Sequence, residues 1–331
     1  MKIVIDAMGG DHAPAEIVRG VARASREVQA DLCLVGDERK IRAILLEEGT
    51  GKPIEVVHTD DFITMDESPG PALRRRERAS MVMAARMVRE GQAQALVSAG
   101  NTAALHQVAL TVVGRIHGIK RPALTVILPS RPPTVALDMG ANADVKPEYL
   151  VQFAIMGSIY AEKILGRTNP RVGLLNIGSE VGKGNSLVTA AYPLLEASGV
   201  NFVGNVEPYG VFRGQVDVAV CDGFTGNMFL KSAEAAAEFV MDAIKEAARA
   251  TPASRLGGLL MKPALKRLLH VSDQAEHGGA GFLGLRGVVI KCHGRANARA
   301  IQNGVKVAAR VLDARVIEKI AESLSEAQVV A

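Results

Sequence analysis

The chain has 331 residues, 48% of them apolar, which is enough for one large core or for two units sharing a sheet. It has no tryptophan and only 4% aromatic residues, so its core must be aliphatic and dense in Ala and Gly, which suits helices on a parallel sheet better than a β-sandwich. The net charge of +4, from 39 basic and 35 acidic residues, is too slight to indicate nucleic acid, and it suits acidic partners such as phosphate, an acidic carrier protein or anionic lipid.

The N-terminus MKIVIDAMGG is expected to be the first strand, residues 2–8, and not a signal peptide, because Asp6 interrupts a very short apolar stretch. A helix is expected over 13–29, a strand over 31–36, a helix over 38–48 and a strand over 54–59. Residues 60–79 read as an irregular loop with the basic run Arg74-Arg75-Arg76-Glu77-Arg78. Helix 80–91, strand 95–99, helix 102–113, strands 123–128 and 134–139, and helix 147–165 follow. Then come strand 171–177, helix 187–197, strands 201–206 and 216–221, and helix 225–250. Residues 250–287, richer in Gly and Pro, read as an insertion before strand 288–293 and a final helix over about 296–322. Several strands are unbroken Val/Ile/Leu runs, as expected of strands buried on both faces. The alternation predicts a doubly wound, mostly parallel α/β sheet flanked by helices, in a single large α/β/α unit. Cys33, Cys221 and Cys292 lie in apolar runs without a CxxC pair, so no disulfide or zinc site is expected and a reducing cytosol is the default. No window approaches about 18 uncharged apolar residues, so no membrane span is expected.

One pattern recurs at the strand ends. A buried strand stops, Gly with Asp, Asn or Ser follows, and a helix begins. The instances begin at Asp6-Ala7-Met8-Gly9-Gly10-Asp11-His12, Ser98-Ala99-Gly100-Asn101, Asp138-Met139-Gly140-Ala141-Asn142, Asn176-Ile177-Gly178, Asp222-Gly223-Phe224-Thr225-Gly226-Asn227 and His293-Gly294-Arg295-Ala296-Asn297. Each alone is explained by helix capping and a tight turn. Together, at the carboxyl edge of a parallel sheet, they form a place for a ligand. Gly admits a close approach to the backbone, and helix N-termini present free N–H groups, so the expected ligand is an anion such as phosphate. Lys146, Lys183 and Lys231 stand near these turns. No GxSxG, HExxH or Walker A sequence occurs, and the GxGxxG string at Gly279–Gly284 precedes a strand rather than a helix, the wrong context for a dinucleotide.

Taken in order, the stretches DAMGGDHAP, SAGNTAA, DMGANA, GLLNIG, GKGN, GNVEP, CDGFTGN and KCHGRANARA resemble the PlsX family of phosphate acyltransferases over essentially the whole chain. That resemblance implies a fold similar to phosphotransacetylases and isocitrate-type dehydrogenases. It implies transfer of a fatty acyl group from acyl carrier protein to inorganic phosphate, with the acyl phosphate passing to a glycerol-phosphate acyltransferase for phosphatidic acid synthesis. It also implies a cytoplasmic homodimer in peripheral contact with the inner face of the cell membrane, with no cofactor or metal. A phosphotransacetylase-like enzyme using acyl-CoA is the alternative, since both donors present phosphopantetheine.

The residues suit such chemistry. Phosphate is itself a nucleophile and a thiol is a good leaving group with pKa about 8.5, so no enzyme nucleophile is needed. What remains is positioning, worth about 7–11 kcal/mol at best, and oxyanion stabilisation, about 3–4 kcal/mol per donor. Gly9, Gly10, Gly100, Gly140 and Gly223 are expected to admit the ligand to backbone N–H groups. Asn101, Asn142, Asn185 and Asn227 are expected to donate side-chain hydrogen bonds. Lys183 and Lys231, with Lys146 nearby, are expected to neutralise phosphate charge. His12 and His293 are candidates for proton transfer or oxyanion donation. Asp6, Asp11, Asp138 and Asp222 are expected to orient lysines and cap helices.

Residues 255–271, RLGGLLMKPALKRLLHV, carry four Arg or Lys side chains and no acid. Leu256, Leu260, Leu265, Leu268 and Leu269 are expected to form an apolar side of an amphipathic hairpin, interrupted at Pro263, that suits an anionic bilayer surface. The same pattern would also serve a core or dimer-contact helix. The Arg74–Arg78 run is a candidate docking point for the acidic carrier protein.

Overall fold

The computed structural model describes residues 1–68, 70, 76–272 and 278–329, with the side chains of 264–272 and 325–329 outside that description. The expected strands all form: β1 Lys2–Asp6, β2 Asp31–Gly36, β3 Glu55–His58, β4 Ala95–Ser98, β5 Ala123–Leu128, β6 Thr134–Leu137, β7 Val172–Leu175, β8 Phe202–Val206, β9 Val218–Val220 and β11 Val288–Lys291. An unexpected strand, β10 (Ala280–Leu283), occupies the GxGxxG string. The expected insertion therefore gives its last residues to the sheet.

The helices are α1 Ala15–Ala24, α2 Glu38–Glu48, α3 Ser80–Arg89, α4 Thr102–Val108 continued by a π-helical turn at Ala109–Val113, α5 Pro147–Leu165 and α6 Ser186–Glu196. They continue with α7 Pro208–Phe212, α8 Gly223–Arg249, α9 Pro252–Ser272, α10 Ala298–Asp313 and α11 Val316–Val329. The expected single final helix is two, broken at Ala314 and at Arg315, whose φ of 51° is left-handed. Helix α9 runs unbroken through Pro263, contrary to the expected interruption there.

Among the described residues the strands form one sheet in the order β3-β2-β1-β4-β11-β10-β5-β6-β9-β7-β8. β1 to β4 and β11 are parallel, β10 is antiparallel to both neighbours, and β5 is antiparallel to β6. β6, β9, β7 and β8 are again parallel to one another, so the two parallel blocks run in opposite directions. This corrects the expectation of one shared carboxyl edge. β5 resolves the consequence. Its first residues pair with β10 and its last three, Val126–Leu128, pair with β6. Lys291 opposite Ala280, and Gly281 opposite Thr125, place the end of β6 at the level where β11 stops. The second block thus stands beyond the carboxyl edge of the first and points back at it, and the two carboxyl edges face each other.

The sheet is held by aliphatic packing on both faces. Ile3, Ile5, Val97 and Ile290 bury one face under α1 and α10, and Val4, Leu96 and Val289 bury the other under α3 and α4. Each fully buried side chain of this size contributes about 1.5–3 kcal/mol. α1 and α10 approach closely because Gly20 has no side chain. A Cβ there would stand 2.5 Å from the Ala298 carbonyl oxygen.

Candidate active site

The first group of turns follows β1, β4 and β11. The register aligns Asp6, Ser98 and Lys291 at the ends of these neighbouring strands. The buried Asp6 carboxylate accepts from Ser80 Oγ at 2.6 Å, Ser98 Oγ at 2.8 Å and the Met8 N–H at 3.2 Å. Burial pushes its pKa up, against those donors. Gly9 packs against Asp6 and Gly100, with room for no side chain. Gly10, at φ +112°, lies over Ala99 and Gly294, and the Asp11 N–H donates to the Gly294 carbonyl at 2.8 Å. These turns are therefore interlocked by backbone, while His12 and the Asp11 side chain are exposed.

His293, at the end of this group, is also exposed, and its Nδ1 accepts from the Arg295 N–H at 3.2 Å. The neutral ring must then carry its proton on Nε2. Desolvation, followed by the charges of Lys291 and Lys231, holds its pKa below the usual histidine value. The lowered pKa favours the neutral ring at neutral pH, with its proton on Nε2. Lys231 acts on the ring through space from α8, in the opposite block.

The second group follows β6 and β9. Asp138 is fully buried and accepts from the N–H groups of Leu124, Gly140, Ala141 and Asn142 and from Asn142 Nδ2. Burial pushes its pKa up and those donors oppose the rise. Asp222 caps α8 by accepting from Thr225 N–H at 2.8 Å and Oγ1 at 2.7 Å. The capping expected of the aspartates holds for Asp222. Orientation of lysines by Asp6, Asp11, Asp138 or Asp222 does not occur among the described ion pairs, where Asp11 meets Arg295 at 4.0 Å. Asn227 lies over Gly140, and an added Cβ at 140 would be 3.3 Å from its Oδ1. One turn further along α8, Lys231 pairs with Glu234 at 2.7 Å. Gly223 packs against the Asn142 backbone.

Two of the expected asparagine donors are committed elsewhere. Asn101 Nδ2 donates to the carbonyls of Met65 (2.7 Å) and Glu67 (3.1 Å), and its oxygen caps α4 at Ala104. Asn142 Nδ2 donates to the Pro122 carbonyl (2.7 Å) and to Asp138 (2.8 Å). An amide nitrogen has two hydrogens, so neither residue has one left for a ligand in this geometry. Both build loops.

The third turn, after β7, lies beside the second because β7 pairs with β9. Asn176 Nδ2 donates to the Lys183 carbonyl at 2.9 Å, and Asn185 caps α6 by accepting from Val188 N–H at 3.0 Å. Lys183 is exposed beside Glu180, at 3.8 Å. It borders a cavity of about 250 Å³ lined by Val181, Val188, Tyr192 and Pro193. Lys146 is exposed at the N-cap of α5 and joins none of the three groups through a described contact.

Sequence reasoning missed Lys291 as a member of the site. Its signal was a lysine ending the otherwise apolar strand VVIK immediately before a Gly turn. It is only 8% exposed, and burial lowers its pKa.

The hairpin of α8 and α9 stands apart from the core. The only buried residues of α8 are Gly223 and Gly226, in its first turn. The two helices touch at Gly258, where an added Cβ would be 2.9 Å from Ala248. Leu256 and Leu260 are exposed, with Phe239, Leu259 and Met261. Leu265, Leu268 and Leu269 lie in α9, but their side chains fall outside the described residues, as do Arg74 and Arg75 of the basic run. Among the described residues no helix is long and apolar enough to cross a membrane.

A family model described as "Fatty acid synthesis protein" matches residues 1–319. A phosphate acyltransferase of Desulfitobacterium hafniense (strain Y51) is 47% identical over 326 residues, covering 98% of this chain and 97% of that protein. A phosphate acyltransferase of Exiguobacterium sp. is 48% identical over 325 residues, covering 97% and 98% respectively. Among solved structures, a phosphotransacetylase from Streptococcus pyogenes superposes with a TM-score of 0.65 at 18% identity, covering 96% of this chain and 94% of its own. A 4-hydroxythreonine-4-phosphate dehydrogenase from Klebsiella pneumoniae superposes with a TM-score of 0.53 at 13% identity, covering 94% and 97%. At these identities the structural likenesses establish the fold.

Proposed function

The chain belongs to the PlsX family of phosphate acyltransferases and is an acyltransferase, and from that premise we propose that it moves a long-chain fatty acyl group from acyl carrier protein to inorganic phosphate. The reaction runs between the two facing carboxyl edges. A phosphate oxygen attacks the thioester carbonyl carbon, the C–O bond forms, the C–S bond breaks, and the carrier thiolate leaves with the electron pair. No acyl-enzyme forms, because phosphate does the attacking.

The observation that carries this reading is the opposition of the two parallel blocks, which sets the turns after β1, β4 and β11 against those after β6 and β9. Lys231 neutralises phosphate charge, and the neutral His293 offers Nε2–H to the oxygen of the tetrahedral intermediate. Asn227 and Asn185, whose amide hydrogens meet no acceptor among the described residues, unlike those of Asn101 and Asn142, supply further donors, and Lys183 adds a second cation from the neighbouring turn. The acyl phosphate then serves phospholipid synthesis through a glycerol-phosphate acyltransferase. A cytoplasmic homodimer, touching the membrane through the α8–α9 hairpin, fits the exposed Leu256 and Leu260.

The deciding experiment is phosphate-dependent release of carrier thiol from palmitoyl carrier protein, with acyl phosphate detected directly and acetyl-CoA run in parallel. Preference for acetyl-CoA would replace the proposed donor. Thiol release without phosphate would overturn the reaction itself.

A further inference from the structure

We infer that Lys291 holds the phosphate, as the buried cation at the floor of the facing edges, making it a catalytic residue of the proposed reaction. The inference deepens the reading above and rests on it for the identity of the anion.

Four observations converge on Lys291. It ends β11 at the level of Ser98 and Asp6, on the same sheet face, so its side chain emerges where the β1, β4 and β11 turns meet. It is 8% exposed. Its Nζ donates to the carbonyl of Cys292, its own neighbour in the chain. No carboxylate pairs with it among the described residues, since Asp6 spends its oxygens on Ser80, Ser98 and Met8, and Asp11 reaches it only through space. An ammonium has three hydrogens and a full charge. Among the described residues it has one neutral acceptor, which leaves donors over, and a bound anion would answer both them and the charge.

The surroundings select the anion. Lys231 acts through space on both Lys291 and His293, with Asp11 acting on Lys291 and Glu234 on His293, so cations, a neutral donor and two carboxylates share this neighbourhood. A small tetrahedral dianion fits this set. Lys291 therefore binds the nucleophile while Lys231, exposed and on the other edge, is left to follow the charge that develops during attack.

The test compares the full chain with Lys291→Met, which keeps length and removes charge. The Michaelis constant for phosphate should rise about ten- to a hundredfold, the scale of one charge-assisted hydrogen bond, while that for the acyl donor stays within about twofold. Inorganic phosphate should raise the melting temperature of the unsubstituted protein and no longer that of the variant. An unchanged phosphate constant in a folded variant overturns the inference and leaves the acyl-transfer reading intact. Because a substituted buried site can fail to fold, a crystal of the unsubstituted protein soaked in phosphate gives an independent answer. An anion oxygen at hydrogen-bond distance from Lys291 Nζ supports the inference. An anion seated elsewhere, or none at saturating phosphate, overturns it. If phosphate binds at Lys291 but neither carrier protein nor CoA thioester yields acyl phosphate, the reaction reading fails while the anion site stands.

Discussion

Asn142 is tied twice to Asp138, whose Oδ2 accepts from the Asn142 backbone N–H at 2.7 Å and from its Nδ2 at 2.8 Å. The other oxygen accepts from Leu124, Gly140 and Ala141. One buried carboxylate therefore fixes the turn after β6 and anchors it to β5. Asp138→Ala would strand several buried N–H groups at once. Stability should fall by about 3 kcal/mol or more, read as a lower urea midpoint at unchanged slope. A loss below about 1 kcal/mol would mean that water replaces the carboxylate without cost.

Gly226 tests the same anchor from the helix side. A Cβ at 226 would run into the Asp138 carbonyl oxygen. That oxygen belongs to the backbone and has nowhere to yield. Gly226→Ala should displace the start of α8, and with it Asn227 and Lys231, so turnover should fall along with the melting temperature. Gly257→Ala, inside α9 where a Cβ meets nothing within 4 Å, is the control and should keep turnover and not lower the melting temperature, since Ala favours the helix.

How much of this was legible beforehand depends on whether a feature is local. Strands such as β2 and β5 are unbroken apolar runs between turn residues, and their bounds were read correctly. β10 was not, because glycines flank and interrupt its short Ala280–Leu283 run and make it read as part of the Gly-rich insertion. The opposition of the two blocks could not be read at all. Strand direction is set by which strand β5 pairs with at each end, and no residue type records that. The commitments of Asn101 and Asn142 escaped for the same reason: their partners Met65 and Pro122 are 36 and 20 residues away. The aspartates and glycines of the turns were recognisable as types, while their partners needed the fold.

His293 gives a prediction in pH. Desolvation and the charges of Lys291 and Lys231 lower its pKa in the folded chain. Its imidazole should therefore titrate below the ordinary value of about 6.5 in NMR spectra. Lys231→Met removes a cation, so the His293 midpoint should move up. The stability linked to this group is present above the unfolded histidine pKa and is lost as pH falls through the lower folded one. A midpoint that does not respond to Lys231→Met would show that the two edges do not meet at His293.

Lys183 is the lysine whose substitution should least disturb the fold. It is exposed and, among the described residues, pairs with Glu180 at 3.8 Å, a surface contact of little energetic value. Lys183→Ala should keep its melting temperature. Acyl phosphate formation should nonetheless drop by about a hundredfold or more if its ammonium faces the reacting phosphate. Unchanged turnover would place the chemistry wholly between α8 and the β1, β4 and β11 turns.

The hairpin can be tested apart from catalysis. Leu256 and Leu260 are four residues apart on α9 and are 62% and 74% exposed, so they share one face, and that face meets solvent. Two leucines buried in a lipid interface contribute several kilocalories per mole, about 1.5–3 each. The double substitution Leu256→Glu, Leu260→Glu replaces that gain with charge repelled by anionic headgroups. Flotation with phosphatidylglycerol-containing vesicles should therefore fall sharply, while turnover of a carrier-protein substrate in solution should persist, since neither leucine belongs to the facing edges. Retained flotation would move the membrane contact off this face. Retained flotation together with a shift from dimer to monomer in sedimentation would assign the face to subunit contact instead.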